Sequence, residues 1–415
     1  MSDDVYAKRV AGLDISKRDV KVCVRVEDPG GRIEQLKVRT FATTTPGVLA
    51  LRDYLDQHGV ELVAMESTGV FWKPLFYVLE DAFRCWLLNP VQVKRVPGRK
   101  TDVTDAQWIA RLAQYGMVQP SFVPAVPVRA LRDLTRYRTS VVRDRARVVQ
   151  RLQDLLEDAG IKLSAMISDI TGVSGRAMID ALINEPDADP ARVADLAQRR
   201  MRTKIPVLTE ALTGHFTHHH AVLAGIMLRQ IHDLDQVLVD LTGQIDTELA
   251  PFATAAARLT TIPGIGERAA AIIIAETGAD MSRFPTPHNL VSWAGLCPGN
   301  NESAGRHLST RTRKGNPALR GLLFEAASAA ARTNDTYLSA KYADLAARRG
   351  RTRALVAISR IILETCWHVL TTDTDYHDLT PTHVDRHRRN TTQRRLRHAR
   401  HDLEAHGYTI TEPAA

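Results

Sequence analysis

Short apolar runs alternate with turn-forming residues over the first third of the chain. Residues 9–40 predict three strands, RVAGLDIS, VKVCVRVED and RIEQLKVRTF, with a Pro-Gly-Gly turn between the last two. Near-continuous apolar sequence at 61–67 and 84–90 is typical of buried central strands. The spacing also predicts helices over 46–58, 72–81 and 102–115. The order β-β-β-α-β-α-β-α predicts an α/β layer with a mixed sheet.

The middle of the chain has a different periodicity. Residues 129–160 and 221–249 carry apolar residues at helical spacing, interrupted in the first segment near Arg138 and Arg145. Two long helices with such seams predict a coiled-coil hairpin or a dimerisation arm. Shorter helices are expected between them, and the run His218–His220 is interpreted there as a solvated loop rather than a metal site.

A third, mainly helical block is predicted over 251–370. After it, residues 383–401 contain seven arginines, four histidines and one aspartate, which indicates a basic helix or tail. We therefore expect four parts: an α/β domain (1–120), a helical dimerisation domain (121–250), a further, mainly helical domain (251–370) and a basic tail (371–415).

Composition restricts the class of protein. With 415 residues, 44% hydrophobic and 25% charged, the chain is that of a globular protein. No apolar run approaches the ~18–20 residues that span a bilayer, so no membrane association is expected. The four cysteines include no CxxC pair, which fits a reducing cytoplasm. The net charge of +8 and the pI near 9.4 suggest a polyanionic partner.

Four carboxylates fall where one metal site would need them. Asp14 lies near the end of the first strand, Glu66 ends the fourth, and Asp102 and Asp105 open the helix at 102–115. The carboxyl ends of adjacent strands meet at one sheet edge, and a helix starting there can present positions i and i+3 together. Carboxylate oxygens suit Mg²⁺ or Mn²⁺, and such ions assist phosphoryl transfer.

Each carboxylate also has a plainer interpretation. Asp102 and Asp105 taken alone are better explained as acidic residues that cap a helix. Asp14 could be a turn residue. Glu66 is harder to dismiss, because a carboxylate that follows an apolar strand is costly to bury without a partner.

Two segments have the character of phosphate-binding elements. Residues 259–278 predict a helix, a Pro-Gly-Ile-Gly turn and a second helix, in which Gly264 and Gly266 allow the turn and free amides grip a phosphate. The alternative is a plain packing corner between two helices. The loop at 93–100 is basic and precedes Asp102, so it is expected to hold phosphates through Lys94, Arg95, Arg99 and Lys100.

A serine lies at the edge of a basic, glycine-rich segment. Ser303 precedes a stretch from Arg306 to Arg320 that has no acidic residue. Its hydroxyl could attack phosphorus if cations stabilised the transition state. Ser292 and Ser309 compete for this role, and a loop serine is more often a turn or cap residue. The cations expected to bind nucleic acid here are Arg306, Arg311, Arg313 and Lys314.

The motifs GLDISK, AMESTG, KTDVTDAQWIARL, IPGIG…AETG, WAGLCPGNNESAG and RKGNPALRGLLFEAA occur in this order. Together they resemble the DEDD-type insertion-sequence transposases, which are related to Piv-type DNA invertases and include bridge-RNA-guided recombinases. The resemblance covers about 9–118 and 258–330. Where that family often has glycine after its serine, this chain has Ala304.

The resemblance implies an RNase H/RuvC-like domain, a coiled-coil arm and a helical transposase domain. It implies Asp14, Glu66, Asp102 and Asp105 as ligands of Mg²⁺ or Mn²⁺, and Ser303, five residues after Pro298, as the nucleophile. It also implies double-stranded DNA (element ends and target) as substrate and a homo-oligomer, dimer or tetramer, whose subunits share one site. A guide RNA encoded beside the gene and a bacterial cytoplasmic location, nucleoid-associated on DNA, are further expectations.

The leading hypothesis is a recombinase that moves its own element through a phosphoserine–DNA intermediate. One alternative is a hydrolytic RuvC-like nuclease, in which water attacks and Ser303 is dispensable. The other is a non-catalytic nucleic-acid-binding protein, in which the carboxylates are only helix caps. Covalent trapping on nicked DNA separates the first two, and Asp14→Asn with Glu66→Gln tests the third.

Overall fold

The computed structural model describes residues 5–67, 69–95, 105–297, 301–303, 306–309, 312, 314–378, 396–397, 400, 403 and 406. For 94–95, 301–303 and 306–309 it describes the backbone alone. The chain divides into two compact units, Met1–Val123 and Pro124–Ala415.

The first unit is built on a mixed six-stranded sheet. Its order is β3-β2-β1-β5-β6, and β4 also pairs with β2. β1 is antiparallel to β2 and parallel to β5, which is parallel to β6. The sheet confirms the predicted mixed layer. Its strands are β1 (Arg9–Ile15), β2 (Asp19–Glu27), β3 (Ile33–Gln35), β4 (Arg39–Ala42), β5 (Leu62–Glu66) and β6 (Arg84–Leu88).

The third predicted strand, 32–41, is wrong as a single element, because the structure divides it into β3 and β4. In β3 Gln35 pairs with Arg25, whereas in β4 Arg39 pairs with Val22. The register therefore slips by one residue between them, as a β-bulge does. Val38, in the gap, packs instead against a buried cluster that contains Cys23 and Ala110.

Helices cover both faces of this sheet. Val63 and Met65 of β5 belong to one buried cluster, whereas Leu62 and Ala64 belong to the cluster on the other face. This double burial explains the near-continuous apolar sequence of β5. The helices are α1 (Thr45–Gln57), α2 (Trp72–Leu79), α3 (Pro90–Arg95) and α4 (Asp105–Gln114). The predicted basic loop at 93–100 thus begins inside α3, and 96–104 lie outside the described residues.

Two long helices, α5 (Val126–Asp158) and α10 (His218–Leu249), begin the second unit and pack against each other. Arg138 Nε donates to Thr242 Oγ1 at 3.1 Å, and Arg145 Nε to Asp235 Oδ1 at 2.5 Å, so the helices are antiparallel. The arginines that interrupt the apolar seam therefore pair across the helix hairpin. Between the long helices lie α6 (Leu163–Met166), α7 (Val173–Asn184), α8 (Pro190–Ala194), a 3₁₀ helix (Arg199–Lys204) and α9 (Ile205–Ala211).

The described part of the remainder is mainly helical and includes a short hairpin. Its elements are 3₁₀ helices at Ala250–Phe252 and Met281–Arg283, α11 (Ala253–Thr260), α12 (Glu267–Thr277), α13 (Pro287–Trp293), β7 (Asn301–Ser303), β8 (Arg306–Ser309), α14 (Pro317–Ala330), α15 (Tyr337–Arg349) and α16 (Arg351–Thr372). A mixed α/β layer followed by a mainly helical chain is confirmed. The RuvC-like assignment, the coiled-coil arm and the helix-hairpin-helix stay predictions.

Of the described helices, α16 is the one whose length and composition would allow it to cross a membrane. In the fold, its residues Ile358, Ile362 and Leu363 are buried. Ser359 Oγ donates to the backbone carbonyl of Leu323 in α14 at 3.0 Å. These contacts are those of a core helix.

Candidate active site

The first two candidate carboxylates lie side by side at the end of neighbouring strands. In the parallel pair β1–β5, Leu13 is in register with Met65. Asp14 and Glu66 are each the next residue, so they lie at equivalent positions and leave the sheet on the same face. Asp14 is half-buried.

A glycine brings the third carboxylate to this place. A Cβ at Gly12 would overlap the backbone of Ala106 and Ala110, so α4 lies directly on β1. Gly12 and Asp14 point to the same face, because they are two residues apart in a strand. Asp105, the first described residue of α4, therefore starts beside Asp14. Asp102 lies outside the described residues.

The pKa of Asp14 is raised by its surroundings. Burial has the largest effect, and the negative charges of Asp105 and, to a smaller extent, Glu66 also raise it. Lys21, opposite Asp14 in β2, acts in the other direction. The structure therefore brings three of the four predicted carboxylates, Asp14, Glu66 and Asp105, within electrostatic reach of one another; we call this set the acid edge.

The donors of the acid edge fit a hard divalent cation. They are oxygen atoms that come from two strands and a helix, and their mutual repulsion raises the affinity for positive charge. Among the described residues, a tighter group exists elsewhere: the possible ligand atoms of Asp158, His219 and His220 lie within 4.8 Å of one another. The carboxylate oxygens of the acid edge do not all lie within 4.8 Å of one another.

The hydrogen bonds of His220 explain why Asp158, His219 and His220 lie so close together. His220 Nδ1 accepts from the backbone N–H of Thr217 at 3.1 Å, and its Nε2 lies 3.3 Å from Asp158 Oδ2. The imidazole thus completes a capping box at the start of α10 and donates to Asp158. The interpretation of His218–His220 as a solvated loop is wrong, since these residues open α10 and His220 is 4% exposed.

The serine segment, residues 298–316, contains the hairpin β7–β8. Ser303 ends β7 and pairs with Arg306 at the start of β8. The segment follows the buried Cys297. At its other end, a Cβ at Gly315 would overlap the backbone carbonyl of Ala294, and Arg320 Nη2 donates to Thr312 Oγ1 at 3.1 Å. The chain is therefore anchored on both sides of the serine.

A fully buried carboxylate, Glu276, lies at the end of α12. Its Oε1 and Oε2 accept from Nε and Nη2 of Arg136 at 2.7 and 2.8 Å. Oε2 also accepts from Asn316 Nδ2 at 2.6 Å. The hydrogen bond to Glu276 raises the pKa of Arg136. We call these residues, with Arg132, the Glu276 network.

Sequence reasoning missed this network. Glu276 follows the apolar run AIIIA, the same signal that drew attention to Glu66. Arg132 and Arg136 are spaced i,i+4, which places them on one face of α5. These signals indicate a buried acid and a pair of cations, but not that they meet across 140 residues of chain.

The two hairpin glycines have different surroundings. Gly264 has φ +90°, and a Cβ there would overlap the carbonyl oxygen of Ala326 in α14. Gly266 precedes α12, and among the described residues nothing beyond its chain neighbours lies within 4 Å of the position that its Cβ would take. Gly264 thus serves close packing, as the packing-corner alternative requires, and Gly266 leaves the first turn of α12 approachable.

Most of the predicted nucleic-acid contacts rest on residues whose side chains the structure does not describe. Lys94 and Arg95 lie in α3, and Arg306 lies in β8. Lys314 is exposed. The others, Arg99, Lys100, Arg311 and Arg313, lie outside the described residues. Their contacts stay predictions.

Comparison with known proteins gives two family matches. A model of DEDD transposases of the IS110 type, described as "Transposase", matches residues 11–161. A second model, described as "Transposase IS116/IS110/IS902 family", matches residues 256–343. The first range contains the acid edge, and the second contains Glu276 and Ser303.

Individual relatives cover most of the chain. A "Probable family 20 transposase" of Pseudomonas aeruginosa is 25% identical over 79% of this chain and 88% of its own length. An insertion element IS900 uncharacterized 42 kDa protein of Mycobacterium paratuberculosis is 29% identical over 90% and 98%. A mini-circle putative transposase for IS117 of Streptomyces coelicolor is 24% identical over 72% and 78%.

Proposed function

Because this chain belongs to the IS110 family of insertion-sequence transposases, we propose that it exchanges DNA strands through a phosphoserine–DNA intermediate formed by Ser303. The family makes it an enzyme that binds, cleaves and recombines DNA. The observation that carries the DNA-cleaving part of the proposal is the acid edge, where Asp14, Glu66 and Asp105 come together from three elements. The choice of Ser303 rests on its place five residues after Pro298 in the family's motif.

The proposed cleavage is a displacement at phosphorus. The Oγ of Ser303 forms a bond to the scissile phosphorus as the P–O bond to the adjacent nucleotide breaks. The serine loses its proton, and the departing oxygen gains one and leaves as a hydroxyl. When a hydroxyl of another strand attacks the phosphoserine in the reverse reaction, the strands are joined. The bond energy is kept in the phosphoester, so joining needs no nucleotide cofactor.

We assign Asp14, Glu66 and Asp105, together with Asp102, to hold Mg²⁺ or Mn²⁺. Such an ion, when bound, offsets the negative charge of the scissile phosphate. The basic residues around the serine, Arg306, Arg311, Arg313 and Lys314, orient the phosphodiester by charge-assisted hydrogen bonds.

The assembly belongs to the proposal as well. The arm formed by α5 and α10 lies within the proposed dimerisation domain (121–250), between the proposed RuvC-like (1–120) and transposase (251–370) domains. We propose that the arm joins copies of the chain, so that the acid edge of one copy serves the serine of another. A guide RNA, held by the 93–100 segment and the tail at 371–415, would select the DNA.

Covalent trapping tests the serine. The full chain, with RNA transcribed from the flanking sequence, is incubated with Mg²⁺ and nicked duplexes that carry the element ends, and protein–DNA adducts are separated under denaturing conditions. Wild type should give an adduct whose phosphopeptide contains Ser303. Ser303→Ala should give none, whereas Ser292→Ala and Ser309→Ala should match wild type. Cleavage without an adduct would instead identify a hydrolytic nuclease.

A further inference from the structure

The Glu276 network joins three elements through one buried carboxylate. The Glu276 side chain is 0% exposed, while that of Arg136, on α5, is 48% exposed. Arg136 binds both carboxylate oxygens, which is the bidentate geometry that guanidinium and carboxylate favour. The arm helix and α12 are thereby held at a defined distance and orientation.

A second arginine fixes the same end of α12. Arg132 Nε donates to the carbonyl of Ala275 at 2.9 Å, and its Nη2 donates to the carbonyl of Glu276 at 2.6 Å. Its Nε is also 3.5 Å from Glu276 Oε2. Since the last carbonyls of a helix lack partners within the helix, Arg132 satisfies groups that would otherwise need water.

Asn316 connects the network to the serine segment. Its Oδ1 accepts from the backbone N–H groups of Ala318 and Leu319, which makes it the N-cap of α14. Its Nδ2 donates to Glu276. One side chain thus ends the serine segment, starts α14 and contacts the carboxylate that α5 holds.

We propose that Glu276 is a positioning residue, which couples arm helix α5 through Asn316 to the segment that carries Ser303. This inference rests on the proposed role of Ser303 as the nucleophile. Movement of α5 relative to α12 acts on Glu276, and the Asn316 hydrogen bond carries it to the end of the serine segment. Attack is then efficient only when the arm is in its working position.

The stability of the fold alone does not require a buried ion pair at this position. Well-packed apolar residues often stabilise a fold as well as a buried ion pair does, whereas ionic hydrogen bonds fix direction. The Asn316 amide uses its oxygen on α14 and its nitrogen on α12, so it cannot rotate without losing both contacts. Displacement of a reacting group by about 1 Å can cost about 100-fold in rate, so this precision matters for a nucleophile.

Conservative variants of Asn316 separate capping from coupling. Asn316→Ser keeps an N-cap oxygen, but its shorter side chain lacks the amide nitrogen that reaches Glu276. Asn316→Asp also keeps the cap and places a second carboxylate against Glu276. The pair E276Q/N316D exchanges donor and acceptor, so a hydrogen bond between the two positions forms again. Thr286→Ala is the matched control, because Thr286 caps α13 and has no part in the network.

The measurement is the rate of adduct formation on nicked element-end DNA at saturating DNA concentration, with DNA affinity and the unfolding midpoint measured in parallel. We expect Asn316→Ser to lower the rate by about tenfold and Asn316→Asp by about 100-fold, at unchanged DNA affinity. E276Q/N316D should recover at least part of the loss of Asn316→Asp. Thr286→Ala should lower the unfolding midpoint and leave the rate unchanged.

Two results would overturn the coupling. One is a wild-type adduct rate in both Asn316 variants, and the other is rate losses that simply follow the unfolding midpoint, with Thr286→Ala included. Ser303→Ala distinguishes this failure from failure of the proposed function. If Ser303→Ala still forms the adduct, the nucleophile is wrong. If it forms none while the Asn316 variants react normally, only the coupling is wrong.

Discussion

The acid edge contains three carboxylates and the Glu276 network contains one, and the surroundings of these carboxylates are opposite. Burial has the largest effect on the pKa of Asp14 and raises it, and the charge with the largest effect, that of Asp105, is negative and raises it further. Around Glu276 the Arg136 guanidinium and the Asn316 amide donate hydrogen bonds to the carboxylate, and Arg132 adds a second positive charge 3.5 Å away. A positively charged ligand would stabilise the carboxylates of the acid edge, whereas the Glu276 carboxylate is neutralised by arginines of the fold itself. Exchanging a carboxylate for an amide should therefore change stability in opposite directions.

The largest effect is expected when the frame of the acid edge is broken. Gly12→Ala places a Cβ where the backbone of Ala106 and Ala110 lies, and backbone atoms cannot turn aside as side chains do. We expect a loss of about 3 kcal/mol in unfolding free energy, and strand exchange below detection, because Asp105 moves away from Asp14. Urea unfolding followed by tryptophan fluorescence measures the first, and strand-exchange assays measure the second.

Gly30→Ala is the control for this change. A Cβ there would meet only the Asp28 side chain, at 3.3 Å. Stability should stay within about 0.5 kcal/mol of wild type. Equal losses in the two variants would mean that α4 does not depend on close approach to β1.

The next largest effect concerns Glu276→Gln. The amide cannot neutralise Arg136 and Arg132, so we expect the C-terminal unit to lose about 2–4 kcal/mol of unfolding free energy. Hydrogen exchange of α5, α12 and α14, read by mass spectrometry, should show where protection falls. Glu267→Gln, an exposed acid in the same helix, should change stability by less than about 0.5 kcal/mol. Normal protection in Glu276→Gln would contradict the buried ion pair.

Asp14→Asn should have a smaller effect of opposite sign. Burial and neighbouring carboxylates raise the pKa of Asp14, so its ionised form is disfavoured in the folded state, and that cost is present at neutral pH. The amide removes it. We expect a gain of at most about 1 kcal/mol, since the group is partly exposed and solvent screens it. Strand exchange should be lost.

Unfolding in the presence of EDTA measures this gain without contributions from divalent ions. A stability loss of more than about 1 kcal/mol would show that Asp14 is a structural residue. The comparison with Glu276→Gln would then fail.

The smallest effect on stability is expected at the ion pair between the arm helices α5 and α10. Arg145 and Asp235 form an ion pair whose side chains are 29% and 40% exposed. Arg145→Ala should cost less than about 1 kcal/mol, because solvent screens such pairs. Adduct formation at saturating DNA should be unchanged. A loss in thermal unfolding that approaches that of Glu276→Gln would mean that partly exposed and buried pairs contribute equally here.

Local sequence patterns predicted the elements that position the acid edge. The apolar run of β5, which is buried on both faces, identified this strand. Asp14 and Glu66 were singled out because they lie at the ends of predicted strands. The bulge between β3 and β4 was missed, because a one-residue register change leaves the composition of a strand segment unaltered. The close packing over Gly12 was also missed, since it depends on a helix that begins more than 90 residues later.

The Glu276 network shows the limit more clearly. Each of its members has a local explanation: Arg132 and Arg136 as solvated cations, Asn316 as a helix cap, and Glu276 as a helix-terminal acid. Only the tertiary fold makes them partners, because their contacts span 40 to 144 residues. The hairpin at Ser303 was likewise predicted as loop, since strands of three and four residues carry too little periodicity to be recognised.

The two arginines near the start of α5 limit how chimeras of this protein can be made. A graft that exchanges the arm at the unit boundary near residue 124 would replace Arg132 and Arg136. The Glu276 carboxylate would then stay buried without its ion-pair partners. A crossover placed after Arg136 leaves that ion pair in the recipient. An arm from a relative should therefore function in this protein only when this first stretch of helix is retained.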